Sequence, residues 1–214
     1  IKYNSDGDTL WVRRYNGPGN SDEVATSLSV DGIGNVYVTG SSAGDYATIK
    51  YNSSGDTLWV RRYNGGNATS LAVDGSGNVY VTGYSYGSGT SGDYATIKYN
   101  SNGDTLWVRR YNGSGNSDDR PTSLALDGSG NVYVTGNTGT VKYNSAGVQQ
   151  WVAPGDRVDL AVDGSSNVYV TGSTSSGGSS FFTTVKYVQT PTSVEEKILG
   201  APSAYSLDQN YPNP

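Results

Sequence analysis

The chain of 214 residues contains no cysteine, no histidine and no methionine. The absence of cysteine excludes a disulfide framework and gives no thiol-based indication of a redox compartment. The absence of histidine removes the commonest general base and the commonest metal ligand. Because the chain opens at Ile1 within a repeated motif rather than at a methionine, we expect a fragment or a processed piece of a longer protein.

Basic residues, long apolar runs and helical periodicity are also scarce. Lysine and arginine number 14 against 19 acidic residues, which argues against a nucleic-acid partner and against a polybasic membrane-binding surface. No apolar run is long enough to predict a membrane span, and no window has a sustained apolar period of helical spacing. The abundant residues are instead glycine, with 30 copies, and tyrosine, with 18. This composition predicts an all-β protein of many short strands joined by tight turns.

Two motifs alternate along the chain. The first, I-K-Y-N-S-x-G-D-T-L-W-V-R-R-Y-N-G, occurs at 1–17, 49–65 and 97–113, with a weaker copy at 140–152. The second, built around D-G-x-x-N-V-Y-V-T-G, occurs at 27–40, 70–83, 123–136 and 159–172. The four tryptophans, Trp11, Trp59, Trp107 and Trp151, are 48, 48 and 44 residues apart. This period is typical of propeller-type repeats.

Each repeat unit divides into four predicted strands, for example Thr69–Val73, Asn78–Gly83, Asp93–Asn100 and Thr105–Tyr111. Short glycine-containing turns join strands one to two and three to four, which is hairpin chemistry. Few of the strands have one clearly apolar and one clearly polar face, as expected for sheets packed between neighbouring sheets. The pattern therefore predicts β-propeller blades, each a four-stranded antiparallel sheet.

About four blades are expected, as an incomplete arc of a larger ring. The predicted units are 1–16 (partial), 24–64, 68–112, 121–153 and 158–188 (partial). The last unit has no tryptophan strand. An alternative is a four-bladed ring in which Thr9–Tyr15 completes the last blade and Ile1–Asn4 is left over, because propellers often close with strands from both chain ends.

The alternating motifs resemble the SBBP repeat, a bacterial β-propeller repeat, from Ile1 to about Val188. The G-N-V-Y-V part is also similar to the NHL repeat, and the tryptophan part to quinoprotein blades. Both relatives are propellers, so the resemblance implies the same fold in every case.

The tail carries a second resemblance. Residues 189–204 are a predicted linker, and Y-S-L-D-Q-N-Y-P-N-P at 205–214 resembles the start of the type IX secretion sorting domain, truncated before its body. This resemblance implies the type IX secretion machinery as a partner, and export followed by release or attachment at the outer cell surface.

Two sets of loops vary in length between units, whereas the tight turns do not. One set joins strands two and three within a unit, and the other joins consecutive units. In a propeller both sets lie on one face, and variable loops on a rigid scaffold are where binding commonly occurs. The candidate ligand-binding residues there are Tyr84, Tyr86, Asp118, Asp119 and Arg120. The alternative is that these glycine- and serine-rich loops vary because nothing constrains them.

Other motifs have structural interpretations that we favour. The Arg-Arg pairs suggest an anion-binding ring, but pairing with Asp45-type or Asp56-type carboxylates between blades is favoured. The D-G-S-G-N and N-S-x-G-D phrases have a partial likeness to calcium loops, but lack the later bidentate glutamate, so turns stabilised by Asx side chains are favoured. These turns also resemble Asp-box turns, in which a glycine packs against a following tryptophan.

No residues form a catalytic constellation, since His and Cys are absent and no paired carboxylates break the repeat. We therefore expect no catalytic residue, cofactor or metal site. The favoured function is a secreted or cell-surface scaffold that binds an extracellular glycan or protein. The alternatives are an accessory propeller domain of a larger secreted enzyme, and a structural spacer in a surface adhesin.

Overall fold

The computed structural model describes residues 1–87, 91–115, 117–176, 178–188 and 205–206, with the backbone alone at 176 and 205–206. The regular secondary structure of the described residues is β-strand, apart from one 3-10 turn at Pro18–Asn20. This confirms the all-β prediction. None of them belongs to a helix with the length and hydropathy that a membrane crossing requires.

The chain divides into two compact units, Ile1–Pro121 and Thr122–Pro214. The strands of the first unit are β1 (Lys2–Tyr3), β2 (Thr9–Trp11), β3 (Glu23–Val30), β4 (Val36–Ser42), β5 (Asp45–Tyr51), β6 (Thr57–Tyr63), β7 (Gly66–Val73), β8 (Val79–Tyr86), β9 (Gly92–Tyr99) and β10 (Thr105–Tyr111). Those that follow are β11 (Pro121–Leu126), β12 (Val132–Gly136), β13 (Gly139–Tyr143), β14 (Gln149–Pro154), β15 (Asp159–Val162), β16 (Val168–Ser176), β17 (Ser179–Tyr187) and β18 (Tyr205–Ser206).

The strands form four four-stranded sheets and one two-stranded sheet. Sheet 1 is β3–β6, sheet 2 is β7–β10, sheet 3 is β11–β14 and sheet 4 is β15–β18, each with neighbours in chain order, while β1 pairs with β2. The pairing is antiparallel, with Val81 opposite Ile97 in sheet 2, for example. These sheets confirm the four-stranded antiparallel blades that the repeat predicts.

The expected lack of a polar face is clearest in β9. All eight residues of Gly92–Tyr99 are buried, although successive side chains of a strand point to opposite sides of its sheet. Lys98 is among them, and its ammonium lies 4.9 Å from the ring centroid of Tyr80. The long lysine stem is thus buried, and the aromatic face attracts its ammonium.

The D-G-S-G-N turns are closed by their aspartates, as predicted. Asp74 Oδ1 accepts hydrogen bonds from the backbone N–H groups of Ser76 and Asn78, both at 2.9 Å. Its Oδ2 accepts from Asn78 Nδ2 at 2.8 Å and from the Tyr80 hydroxyl at 3.1 Å. The carboxylate therefore binds donors of its own hairpin, and Gly77, at φ +76°, takes the left-handed position of the turn.

The core of the first unit lies between sheets 1 and 2. Tyr37, Tyr46 and Trp59 of sheet 1 pack against apolar side chains of sheet 2, namely Ala68, Leu71, Val79, Val81, Ala95, Ile97 and Tyr99. The Trp59 ring lies between Tyr37 of its own sheet, at 6.3 Å, and Tyr99 of the next, at 6.2 Å. In the second unit Trp151 lies in the same way between Tyr133 and Tyr187, at 6.1 and 5.6 Å.

Three side chains of sheet 1 also donate hydrogen bonds to one turn of sheet 2. Lys50 Nζ and Trp59 Nε1 both donate to the Ser101 carbonyl oxygen at 3.1 Å, and Arg61 Nε donates to the Gly103 carbonyl oxygen at 2.6 Å. We call this lysine, tryptophan and arginine set the turn clamp. The same clamp recurs one repeat earlier, where Lys2, Trp11 and Arg13 donate to the turn of sheet 1.

The glycine of the clamped turn contacts a tryptophan of the preceding sheet, not the following tryptophan that the Asp-box resemblance suggested. A Cβ atom on Gly103 would lie 2.9 Å from Trp59, and one on Gly55 would lie 2.9 Å from Trp11. The prediction of a packing contact is thus confirmed, but its partner was wrong. The reason is that the clamp draws the earlier indole over the turn.

The chain ends also differ from the closed-ring alternative. Lys2–Tyr3 pairs with Thr9–Trp11 in a sheet of its own, so Ile1–Asn4 is not left over. In sheet 4 the position after β17 is taken by β18, with Tyr205 opposite Tyr187. The linker at 189–204 and the segment 207–214 lie outside the described residues, and their assignments stay predictions.

Substituting Gly103→Ala is expected to destabilise the chain more than substituting Gly77→Ala. Both glycines have a left-handed φ, +83° and +76°, which costs an alanine about 1–2 kcal/mol. Only Gly103 also meets an indole ring, and forcing a methyl group there costs about 1–3 kcal/mol more. Urea unfolding of the two variants measures the difference, and equal losses would contradict the indole contact.

The D-G-S-G-N turns are expected to add an acid-sensitive part to the stability. Burial raises the pKa of Asp74, but the hydrogen bonds from Asn78, Ser76 and Tyr80 outweigh it and leave the pKa below its usual 3.8. Ionised Asp74 therefore contributes stability above about pH 3.8 that is lost as the pH falls through the folded-state pKa.

Urea unfolding of the parent and of Asp74→Asn across about pH 2–7 checks this. That range of about five pH units includes the pKa of Asp74. The variant should be less stable than the parent at neutral pH, and the gap should shrink in acid. Asp6→Asn, at an exposed position, serves as the control. A gap that stays constant with pH would rule out a role for the ionised carboxylate.

Candidate functional site

The two variable loop sets meet in the first unit, as predicted. The Gly66 N–H, just after sheet 1, donates to the carbonyl oxygen of Gly44 between β4 and β5, at 2.7 Å. One repeat later the Asp119 N–H donates to the Gly92 carbonyl oxygen at 2.6 Å. Backbone hydrogen bonds therefore fasten each connection between sheets to the strand-two-to-three connection of the sheet it leaves.

Tyr84 and Tyr86 lie within β8 rather than in the loop where the sequence placed them. Their cross-strand partners are Tyr94 and Gly92. The strand continues because Arg110 holds Ser85 between the two tyrosines, with Nη1 donating to Ser85 Oγ at 2.9 Å and Nη2 to its carbonyl oxygen at 2.6 Å. The two tyrosines thus lie on a strand that is hydrogen-bonded to β9.

Four of the five candidate residues form one contiguous group, which we call the aromatic–ion cluster: Tyr84, Tyr86, Asp118 and Arg120. The two tyrosine rings meet edge to face, with centroids 5.7 Å apart at 84°. The Arg120 guanidinium lies 4.9 Å from the Tyr84 ring centroid, and its Nη2 lies 3.1 Å from Asp118 Oδ2. Strand β8 and the connection after β10 therefore build the cluster together.

The aromatic–ion cluster is open to solvent and polarised. Tyr86 is 60 % exposed, and the side chains of Arg120 and Asp118 are 55 % and 51 % exposed. The Gly92 N–H, which donates to Asp118 Oδ1 at 3.1 Å, and the Arg120 guanidinium hold the pKa of Asp118 below its usual value. The hydrogen bond to Asp118 in turn raises the pKa of Arg120. Both groups are charged at neutral pH.

The cluster departs from the repeat. The residues that correspond to Tyr84 in the other sheets are Ser41, Asn137 and Ser173, all small and polar. Since those sheets form the same hairpin without an aromatic ring, the tyrosine is not required by the packing of a blade. The sequence signal for this site is thus a local departure from the repeated motif.

Asp119, the fifth candidate, lies apart from the cluster. Its side chain is fully buried, and its Oδ2 accepts a hydrogen bond from the Gly113 N–H at 2.5 Å. Glu23 accepts in the same way from the Gly17 N–H two connections earlier, at 2.9 Å. Among the described residues the Asp119 Oδ1 atom has no hydrogen-bond partner. Asp119 therefore anchors the connection that carries Asp118 and Arg120.

The Arg-Arg pairs are used in packing. Arg61 belongs to the turn clamp, whereas Arg62 points to the other side and pairs with Asp45 of its own sheet at 3.0 Å. Arg110 pairs with Asp93 in the same way at 2.9 Å. The expected arginine–aspartate pairing is present, but it lies within a sheet and not between blades. The reason is that Asp45 begins β5, directly beside the end of β6.

A cavity of about 630 Å³ in the first unit was missed by the sequence analysis. It lies between the β1–β2 hairpin and one face of sheet 1, and its lining includes Trp11, Leu28, Val36 and Ile49. The signal that could have revealed it is the incomplete first unit, which has strands three and four but not one and two. Within the described part of the chain, no group of three or more acidic side chains is placed to hold a metal ion.

A family model for SBBP, described as a β-propeller repeat, matches residues 10–47, 58–89, 106–140 and 153–178, which is more than half of the chain. No curated protein matches the chain.

Solved structures with a similar backbone include a protein from Lactobacillus plantarum, with a TM-score of 0.56 and 18 % identity over 76 % of this chain and 51 % of that one. Virginiamycin B lyase from Staphylococcus aureus has a TM-score of 0.48 and 11 % identity, covering 78 % and 56 %. A gluconolactonase from Xanthomonas campestris has a TM-score of 0.47 and 18 % identity, covering 79 % and 61 %. This chain thus spans about half to three fifths of their lengths, and at these identities the similarity concerns the fold alone.

Substitution of the neighbouring aspartates 118 and 119 is expected to change stability to different extents. Asp119→Ala removes a buried acceptor of the partly buried Gly113 N–H, which costs about 1–3 kcal/mol of unfolding free energy. Asp118→Ala removes an exposed carboxylate whose hydrogen bonds are open to solvent, and should lower the urea midpoint much less. Urea unfolding compares the two variants directly. A midpoint for Asp119→Ala equal to that of the parent would contradict the anchoring role.

Proposed function

We propose that this chain, which belongs to the SBBP family of β-propeller repeats, is a non-catalytic scaffold that binds an extracellular glycan at the aromatic–ion cluster. The observation that carries the proposal is the cluster itself: a tyrosine pair with one exposed ring and an exposed ion pair meet where the repeat is interrupted. Tyr84 is not required by the fold and is held on a paired strand, so it is available for recognition.

The chemistry of the cluster supports a sugar as the ligand. The exposed Tyr86 ring offers an apolar surface with a hydroxyl at its tip, which suits the alternating apolar and hydroxyl-bearing faces of a sugar ring. Beside it, the Asp118 carboxylate accepts hydrogen bonds and the Arg120 guanidinium donates them, which suits adjacent hydroxyl groups. The Asp118–Arg120 pair keeps both groups oriented before a ligand arrives.

The size of the cluster favours a glycan over a protein partner. Stable protein interfaces bury about 800 Å² per partner around an apolar centre. The cluster offers one exposed ring and two charged groups, which is a small and polar contact surface. A protein partner is the alternative outcome of the experiment below.

The proposed location is outside the cell or on its outer surface. The support is the resemblance of Tyr205–Pro214 to the start of the type IX secretion sorting domain, which would make the secretion machinery a second partner. The lack of histidine and cysteine supports a non-catalytic role, because the usual nucleophile–base pairs cannot be assembled without them.

The test is a glycan array probed with the parent chain, followed by titration of the best glycan against variants. Tyr86→Ala is expected to weaken binding about tenfold or more, because the loss of one stacking ring costs on the order of 1.4 kcal/mol. Leu106→Ala, another exposed residue of sheet 2 at the far end of β10, is the matched control and should bind like the parent.

Unchanged glycan binding by Tyr86→Ala would place the site elsewhere. A folded parent chain that binds no glycan on the array, but is retained by an extracellular protein through Tyr86, would replace the glycan by a protein ligand.

A further inference from the structure

A Tyr-Asn-Gly segment follows each of the strands β2, β6 and β10, at 15–17, 63–65 and 111–113. In every copy the asparagine is exposed and the glycine is half-buried. Because glycine has no side chain to hinder its backbone nitrogen, an asparagine followed by glycine is the amide step most prone to deamidation. The chain therefore carries this reactive step beside three of its sheets.

Deamidation at such a step begins at the backbone nitrogen of the glycine. Once this nitrogen has lost its proton to hydroxide, it attacks the side-chain carbonyl carbon of the asparagine. Ammonia leaves, with a proton returned by the solvent, as a succinimide ring closes. Water then opens the ring to aspartate or isoaspartate. The state of the glycine N–H therefore controls the rate.

In all three copies the glycine N–H donates a hydrogen bond to a carboxylate. The pairs and their N···O distances are Gly17 with Glu23 at 2.9 Å, Gly65 with Asp45 at 2.9 Å and Gly113 with Asp119 at 2.5 Å. A charged acceptor forms a strong hydrogen bond with the N–H group. Its negative charge also opposes a second negative charge on the nitrogen. Both effects disfavour the deprotonated nitrogen that the reaction requires.

The three carboxylates do not come from one position of the repeat. Glu23 and Asp119 each follow their glycine by six residues. The connection after β6 is shorter, and there the acceptor is Asp45 at the start of β5, 20 residues before Gly65. The corresponding residue of sheet 2, Asp93, pairs with Arg110 instead. What the three copies share is therefore the contact itself, supplied by whichever carboxylate lies in reach.

Asp45 is charged under the conditions in which the succinimide forms. The hydrogen bond from the Gly65 N–H, together with that from Arg62, outweighs the effect of burial and holds the pKa of Asp45 below its usual value. The carboxylate is therefore ionised in neutral and alkaline solution, where hydroxide removes the amide proton.

We propose that Glu23, Asp45 and Asp119 protect the three Tyr-Asn-Gly segments from deamidation, so that removal of one carboxylate turns the asparagine beside it into a modification site. The protection is local, because each carboxylate accepts from the glycine of one segment. This inference does not depend on the proposed glycan site.

The experiment incubates the parent, Asp45→Asn and Asp119→Asn in mildly alkaline buffer and follows deamidation at each asparagine by peptide mapping and mass spectrometry. Asparagine keeps the shape and a neutral acceptor but removes the charge. Asp45→Asn should speed the reaction of Asn64 about tenfold, because a hydrogen bond to a charged group is worth about that factor in a rate. The rate at Asn112 should not change. Asp119→Asn should have the reverse effect.

Asn102, which is also followed by a glycine, is the internal reference in the same samples. The Gly103 N–H donates to the carbonyl oxygen of Asn100 at 2.9 Å, so neither substitution changes its acceptor. The rate at Asn102 should be the same in the parent and in both variants. A parallel rise at Asn102 would overturn the proposal, because loosening of the whole fold would then control the rate.

Arg62→Gln is the matched control for Asp45→Asn. Arg62 Nη2 donates to Asp45 Oδ2 at 3.0 Å, whereas the Gly65 N–H donates to Oδ1. The control therefore breaks the ion pair but leaves the carboxylate on the glycine, and Asn64 should react at the parent rate. Equal acceleration of Asn64 in Arg62→Gln and Asp45→Asn would overturn the proposal. So would an unchanged rate beside the substituted carboxylate in either aspartate variant.

Discussion

The turn clamp is the interaction on which the rest of the first unit depends. A four-stranded sheet of this sequence cannot cover its own two apolar faces, so it is stable only against another sheet. The clamp fixes how the sheets meet: Trp59, Lys50 and Arg61 donate to carbonyl oxygens of one turn of the next sheet. Each such bond contributes about 1 kcal/mol, and somewhat more where the donor is charged. Burial of the indole against Tyr99 adds the apolar part.

Much of this fold could be predicted because the signals are local and repeated. The residue pattern of a strand and the Asx side chain of a turn are each determined within a few positions of the sequence. Strand β10, for example, begins and ends where the sequence predicts. The partner of the turn glycine could not be predicted in the same way. Trp107 follows Gly103 by four residues, and Trp59 precedes it by 44. Only the packing of one sheet on the next determines that Gly103 contacts Trp59. The length of β8 was underestimated because Gly83 suggested its end, whereas Arg110 extends the ladder by holding Ser85.

The candidate site was predicted in part for a related reason. Tyr84 and Arg120 stand out because they interrupt a repeat, and a repeat makes departures visible. The different roles of Asp118 and Asp119 could not be read from the sequence, since adjacent residues point in opposite directions and only one of them meets the Gly113 N–H. The cavity beside sheet 1 was also missed. Leu28 and Leu71 have nearly the same neighbours in sequence, and their burial differs because of what is packed on them.

We infer that stability passes from one sheet to the next through the turn clamp. Native-state hydrogen exchange of Trp59→Ala tests this most directly, with the amides of β9 as the readout, because β9 belongs to sheet 2 while the substitution is in sheet 1. We expect protection to fall in β9 as well as in β5 and β6. Loss of protection confined to sheet 1, with β9 exchanging as slowly as in the parent, would contradict it.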